Sequence, residues 1–323
     1  MSYVLSPEKS LDAEVRRVAL EQIEKACKAL EEIADDPHEA IHDARKVFKK
    51  LRGLIRLVKP ELKDFYKAQN ALFRDTARDL SGTRDKAALV EAMEKLEARF
   101  ETEPGASDVL TPVWTRLIAE RDEAIEAGAG DLPHQIETAF SALAAAKANI
   151  ETCRFDERAR YRPKRDARIL ASGLATTYGR AFEALKTASA SRSAHDLHEL
   201  RKRVKYHWMH LRLAKPLWPA EFAARIALAK EISDDLGDDH DLAVLTETIA
   251  REPEAFGTPE ALVEVSALIE RRQAELREVG LASARVLLCE RPKAMERRVR
   301  NLHHLASGRA HQRIELPGTK PKA

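Results

Sequence analysis

Apolar residues recur at three- and four-residue spacing along nearly the whole chain, a period that belongs to amphipathic helix and not to strand. The spacing predicts helices near 11–34, 38–59, 61–81, 84–102, 108–128 and 133–153. A second set is predicted near 163–189, 194–215, 219–236, 240–251, 258–289 and 291–306. Asp35-Asp36-Pro37, Pro60, Pro104-Gly105, Pro216 and Pro253 punctuate the pattern, since proline cannot continue a helix from within. β-branched runs are scarce, so the expected fold class is all-α. The stretch 311–323 ends in ELPGTKPKA and reads as a flexible tail.

One predicted helix is written twice. IHDARKVFKKLRGLIRLVKP (Ile41 to Pro60) and LHELRKRVKYHWMHLRLAKP (Leu197 to Pro216) align without a gap, and eight of the twenty positions are identical. Most identical residues are cations, and repetition of cations is not a requirement of core packing. The same offset continues past the helix: Arg74 falls on Lys230, and LSGTRD (Leu80 to Asp85) falls on LGDDHD (Leu236 to Asp241). The first helix matches the one starting at Arg165 only weakly. A period this long indicates duplicated halves and not a solenoid. The halves are expected at 1–160 and 161–310, each a helical bundle, joined along a pseudo-twofold axis.

Projected at about 100° per residue from His42, the residues Arg45, Lys46, Lys49, Arg52 and Arg56 fall within about 80° of it. Val47, Phe48, Leu51, Leu54, Ile55 and Val58 occupy the opposite side. In the second copy His198, Arg201, Lys202, Lys205 and Arg212 share the cationic face, while Leu200, Val204, Leu211 and Ala214 face the core. That copy is less clean: Trp208 stands where Arg52 stood, and Arg203 and His207 turn toward the apolar side. Cations crowded on one face, with no carboxylate among them, repel one another. An anionic ligand with several phosphates relieves that repulsion, since guanidinium forks hold two phosphate oxygens and lysines add point charge. Histidine adds a donor whose charge depends on pH. The competing reading is a solvated basic face salt-bridged to neighbouring acidic helices. Arg74, Arg84, Lys230 and His240 are secondary candidates on adjacent helices.

Composition narrows the field. The chain of 323 residues carries 33% charged residues but a formal net charge of only +2, so anion binding has to come from local clustering. Its three cysteines (Cys27, Cys153, Cys289) are far apart, which fits a reducing compartment with neither a disulfide framework nor zinc spacing. The start has no apolar run of a signal peptide, and no stretch of about twenty uncharged apolar residues exists to span a membrane. A cytoplasmic location is expected.

LGDDHD admits two enzymatic readings. His240-Asp241 is the dipeptide of helical metal-dependent phosphohydrolases, which need further His and Asp ligands on other helices. The first repeat has Arg84-Asp85 there, and arginine does not ligate a metal; anion contact is what the two copies share. Asp234-Asp235-Leu236-Gly237-Asp238 also mimics the aspartate-rich motif of helical isoprenoid synthases, a cluster the first repeat lacks. Asp238 and Asp239 read instead as caps of a helix starting near His240. No phosphate-binding glycine loop, G-x-S-x-G or C-x-x-C occurs. No catalytic residue, metal site or cofactor is expected.

H-x-x-R-K-x-x-K at His42, Arg45, Lys46, Lys49 and again at His198, Arg201, Lys202, Lys205, followed one helix later by L-G-x-x-[RH]-D, resembles the CHAD domain (conserved histidine α-helical domain). Leu80, Arg84, Asp85 and Leu236, His240, Asp241 carry the second element, and the resemblance runs from about Leu11 to Leu305. It implies two four-helix bundles related by pseudo-symmetry, whose basic helices line a positively charged groove or channel. It also implies binding of inorganic polyphosphate and residence on polyphosphate granules. Some members carry a triphosphate-tunnel domain with an E-x-E-x-K signature. None is found here, so the resemblance implies a stand-alone binding module. Nucleic acid is the alternative partner, disfavoured because the basic faces hold few aromatics for base stacking.

Overall fold

The computed structural model describes residues 3–32, 37–80, 84–128, 130–154 and 161–314, with the side chains of 38, 84, 85, 128 and 309–314 outside the description. Every regular element among these is helical: α1 (Leu11–Glu31), α2 (Pro37–Leu57), α3 (Lys63–Asp79), α4 (Arg84–Phe100), α5 (Ala106–Gly128), α6 (Leu132–Thr152), α7 (Pro163–Ser191), α8 (Ala194–Ala214), α9 (Pro219–Arg251), α10 (Pro259–Leu287) and α11 (Pro292–Ile314). Five of them begin on proline, where the ring presets the helical φ and the missing N–H would have had no partner. Ser193 caps α8 by accepting from the Asp196 N–H at 3.2 Å, and Thr258 caps α10 by accepting from the Ala261 N–H at 3.3 Å. Arg192, in the left-handed conformation at φ 52°, ends α7.

Two expected boundaries fail. The predicted break between 236 and 240 is absent, and α9 is one helix of 33 residues. Asp238 and Asp239 are therefore mid-helix residues and not caps. Tertiary contacts override the local signal: Asp238 pairs with Lys95 at 2.6 Å, and buried Asp239 takes the Arg277 Nε at 2.6 Å while its carbonyl accepts from Gln273. At the other end, α11 continues past 306 to Ile314, so the first residues of the expected tail are helical; 315–323 lie outside the described residues.

The core forms two clusters, and each draws on both repeats. The larger collects α1, α2, α3 and α6 with α7, α8, the first part of α9, the end of α10 and α11. The smaller joins Met93, Leu96 and Phe100 of α4 and Leu110 and Leu117 of α5 to Leu245 and Ile249 of α9 and Ile269 and Leu276 of α10. The α4–α5 hairpin thus docks on the far ends of α9 and α10, where ion pairs Lys95–Asp238, Arg99–Glu275 and Arg271–Glu103 rim the contact. These pairs are exposed and add little; apolar burial holds the lobe together.

The faces assigned to the basic helices hold. Val47, Phe48, Leu51, Leu54, Ile55 and Val58 are all at most 5% exposed, as are Leu200, Val204, Leu211 and Ala214. Those apolar stripes turn the cations of α2 and α8 outward and, because the two helices touch, toward one another.

Candidate anion-binding site

Helices α2 and α8 meet at Gly53 and Met209. A Cβ on Gly53 would lie 2.8 Å from the Met209 sulfur and 3.2 Å from its Cβ and the Tyr3 hydroxyl, so a larger residue there would force these side chains to shift. The buried His210 Nε2 donates to the Gly53 carbonyl at 2.9 Å. Its Nδ1 is therefore the acceptor and takes the Thr177 hydroxyl of α7 at 2.6 Å. Tyr3 adds a hydroxyl bond to the Lys50 carbonyl at 2.7 Å. The basic helices are thus bonded at their crossing, and the spacing of their side chains is set there.

Beside the crossing lies a cavity of about 180 Å³. Its charged lining is Lys49 and Arg52 from α2 with Arg201, Lys202 and Lys205 from α8; Tyr206 and Met209 complete the wall, and among the described residues no carboxylate lines it. Arg52 is oriented by Asn70 of α3, which accepts from its Nε at 3.2 Å. Arg201 is oriented by the Ser233 carbonyl of α9, also at 3.2 Å. Among the described residues Arg52, Arg201 and Lys205 form no ion pair. Burial, and then the Arg201 charge, pull the Lys205 ammonium below its usual range, against Asp234 and Asp241. A polyanion entering the cavity would neutralise this cluster.

The remaining candidates fall elsewhere. Lys46 pairs with Asp43 at 2.9 Å, and within the cavity lining itself Lys202 is paired with Glu199, which it shares with Arg203. The expected face free of carboxylates is thus partly neutralised one turn upstream, because i, i+3 and i, i+4 carboxylates reach around the helix. His42 and Arg45 are half-buried on α2. Arg56 lies 3.9 Å over the Tyr206 ring, and Arg212 lies 5.0 Å over the Trp208 ring; neither lines the cavity. Arg74 is held by Asp75, and Lys230 by Asp234 at 2.5 Å, both on the surface. The Arg84 side chain lies outside the described residues.

His198 and His240 stack with ring centres 3.8 Å apart. Burial, then His240, Lys202 and Arg201, hold His198 down at about 4, and burial also depresses His240. Both imidazoles are thereby held toward the neutral form near pH 7. His207, expected on the apolar side, is fully buried.

Of the acids in the enzymatic readings, Asp234 pairs with Lys230, Asp238 with Lys95 and Asp239 with Arg277, while burial raises Asp241 against the pull of Arg201 and His240. Among the described residues no three His, Cys, Asp or Glu side chains are grouped to hold a metal. All three cysteines are free. No helix among the described residues is long and apolar enough to cross a membrane.

Sequence reasoning missed Tyr206, Met209, His210 and Thr177. Tyr206 had a signal, since it interrupts the cations at the register of Lys50. His210 and Thr177 had none, because their bonds join residues far apart in the chain.

Compared with known families, the model described as the CHAD domain matches residues 17–250. The match stops at the end of α9, although α10 contributes to both core clusters and α11 to the larger one. No curated protein matches the chain.

Proposed function

The chain belongs to the CHAD domain family, and from that premise we propose that it binds inorganic polyphosphate between α2 and α8, without chemistry of its own. The observation that carries the reading is the cavity whose lining, among the described residues, holds five cations and no carboxylate. Lys49 and Arg52 are separated by about 4.5 Å of helix rise, and Arg201 and Lys205 by about 6 Å. Two such rows suit a ligand that repeats its negative charge along its length. A single orthophosphate would only partly neutralise Arg52, Arg201 and Lys205, which form no ion pair among the described residues. The helix crossing favours the pseudo-twofold relation of the halves, since Gly53 and Met209 occupy equivalent repeat positions and touch each other. Residence on polyphosphate granules would follow from such binding.

Nucleic acid shares the phosphate but also needs surfaces for its bases. Four aromatic rings stand beside the basic faces: Arg56 lies over Tyr206 and Tyr66, and Arg212 over Trp208 and Tyr3. A metal-dependent phosphohydrolase using His240 and Asp241 is the other alternative. Calorimetric titration with long-chain polyphosphate, orthophosphate and duplex DNA separates these readings when joined to gel analysis of the recovered chains. Tight binding of intact polyphosphate with weak controls is expected. Equal affinity for DNA would transfer the function to nucleic acid, and shortened chains would restore the hydrolase.

A further inference from the structure

The L-G-D-D-H-D segment lies inside α9 and contributes nothing to the cavity lining. Arg201 does line the cavity, and its guanidinium rests on this segment. Its Nε donates to the Ser233 carbonyl at 3.2 Å. In an α-helix that carbonyl also accepts from the N–H four residues on, which is Gly237, so its remaining lone pair opens beside residue 237. A Cβ built on Gly237 would meet Arg201 first: Nη2 at 2.8 Å, Nε at 3.0 Å and Cζ at 3.2 Å. The guanidinium fills the space that any side chain at 237 would take.

Glycine is a poor residue for the middle of a 33-residue helix, because it loses the most backbone freedom on folding. Here the obstacle to alanine is not backbone or core but the mobile end of one arginine, which moves at little cost to the fold. Fold stability therefore gives no reason for glycine at this place. The position of Arg201 does.

We propose that Gly237 is a positioning residue of the anion site: lacking a side chain, it seats Arg201 on the Ser233 carbonyl and aims its charge into the cavity. The proposal rests on the polyphosphate reading for its binding consequence, though the seat itself is independent of any ligand. It gives the segment one purpose in place of the metal and capping roles considered above. His240 and Asp241, one turn further on, feel the Arg201 charge from the same seat.

The test compares Gly237→Ala, Arg201→Gln and the double variant. Gly237→Ala should raise the melting temperature by about 2 °C, as expected for glycine to alanine inside a helix. It should also weaken long-chain polyphosphate binding about tenfold, the loss of one charge-assisted contact. Arg201→Gln should weaken binding similarly, and adding Gly237→Ala to it should cost nothing further. Without ligand, the Arg201 Nε–H signal, assigned by its disappearance in Arg201→Gln, should be protected from solvent exchange in the parent protein and unprotected in Gly237→Ala. Unchanged affinity, a further loss in the double variant, or lost affinity with a lowered melting temperature would each overturn the proposal. If the parent protein does not bind polyphosphate, that reading fails, and the exchange measurement alone decides the seat: protection lost in Gly237→Ala sustains it, protection kept overturns it.

Discussion

The Nε2 of His210 donates to the Gly53 carbonyl across 2.9 Å, so the two basic helices are bonded where Gly53 faces Met209. His210→Leu leaves that buried crossing without its bond and is expected to cost about 1–3 kcal/mol. His210→Gln offers an amide donor in its place and should recover part of the loss. Urea denaturation of the two variants checks this, and equal losses would show that the bond does not matter.

His207 is the opposite case. It is fully buried, and neither ring nitrogen has a hydrogen-bond partner among the described residues. Its repeat counterpart is Leu51, also fully buried. His207→Leu is expected to leave stability unchanged or raise it by about 1 kcal/mol, since it removes unsatisfied polar atoms from the core. A loss above that size would mean that the edge contact with Tyr178, at 5.1 Å between ring centres, outweighs the desolvation.

Four histidines predict acid sensitivity. Burial depresses His198, His210 and His303 to about 4 and His207 to about 3, from an ordinary 6.5. The unfolded chain therefore binds these protons first. Their contribution is intact above about pH 6.5 and declines as pH falls toward 4, by up to about 1.4 kcal/mol per pH unit for each group. Denaturation midpoints measured from pH 7 to pH 5 should fall, and His207→Leu should make the decline shallower. A flat profile over that window would contradict the burial of these rings.

The continuity of α9 can be tested at Asp239, which is 1% exposed and paired with Arg277. Arg277→Ala leaves a buried carboxylate without its counter-charge and is expected to cost about 3 kcal/mol. Were Asp239 a surface cap, the same change would cost well under 1 kcal/mol. Chemical denaturation distinguishes the two.

Most of the secondary structure was legible because amphipathic periodicity is local. The apolar faces of α2 and α8 follow from their wheels, and so do the cavity cations Lys49, Arg52, Arg201, Lys202 and Lys205. Non-local contacts were not legible. Gly237-Asp238-Asp239 reads as a helix break, and the contacts of Asp238 and Asp239 with Lys95, Gln273 and Arg277, far away in sequence, run against that local signal. Arg56 and Arg212 lie on the predicted face, yet ring contacts with Tyr206 and Trp208 hold them away from the cavity lining. The docking of α4 and α5 on the ends of α9 and α10 left no periodic trace, because it is a pairing between the repeats.

The central claim is that the cations beside the α2–α8 crossing hold a polyanion. It is tested most directly by titrating the parent protein, Lys205→Glu and Arg251→Glu with long-chain polyphosphate at several salt concentrations. Arg251 ends α9, ten residues beyond Asp241 and about 15 Å further along the helix. The account predicts affinity that falls steeply with salt, by analogy with counterion release from nucleic acids, and a shallower salt slope with much weaker binding in Lys205→Glu. Arg251→Glu should bind like the parent. Equal losses in the two variants, or affinity indifferent to salt, would contradict it.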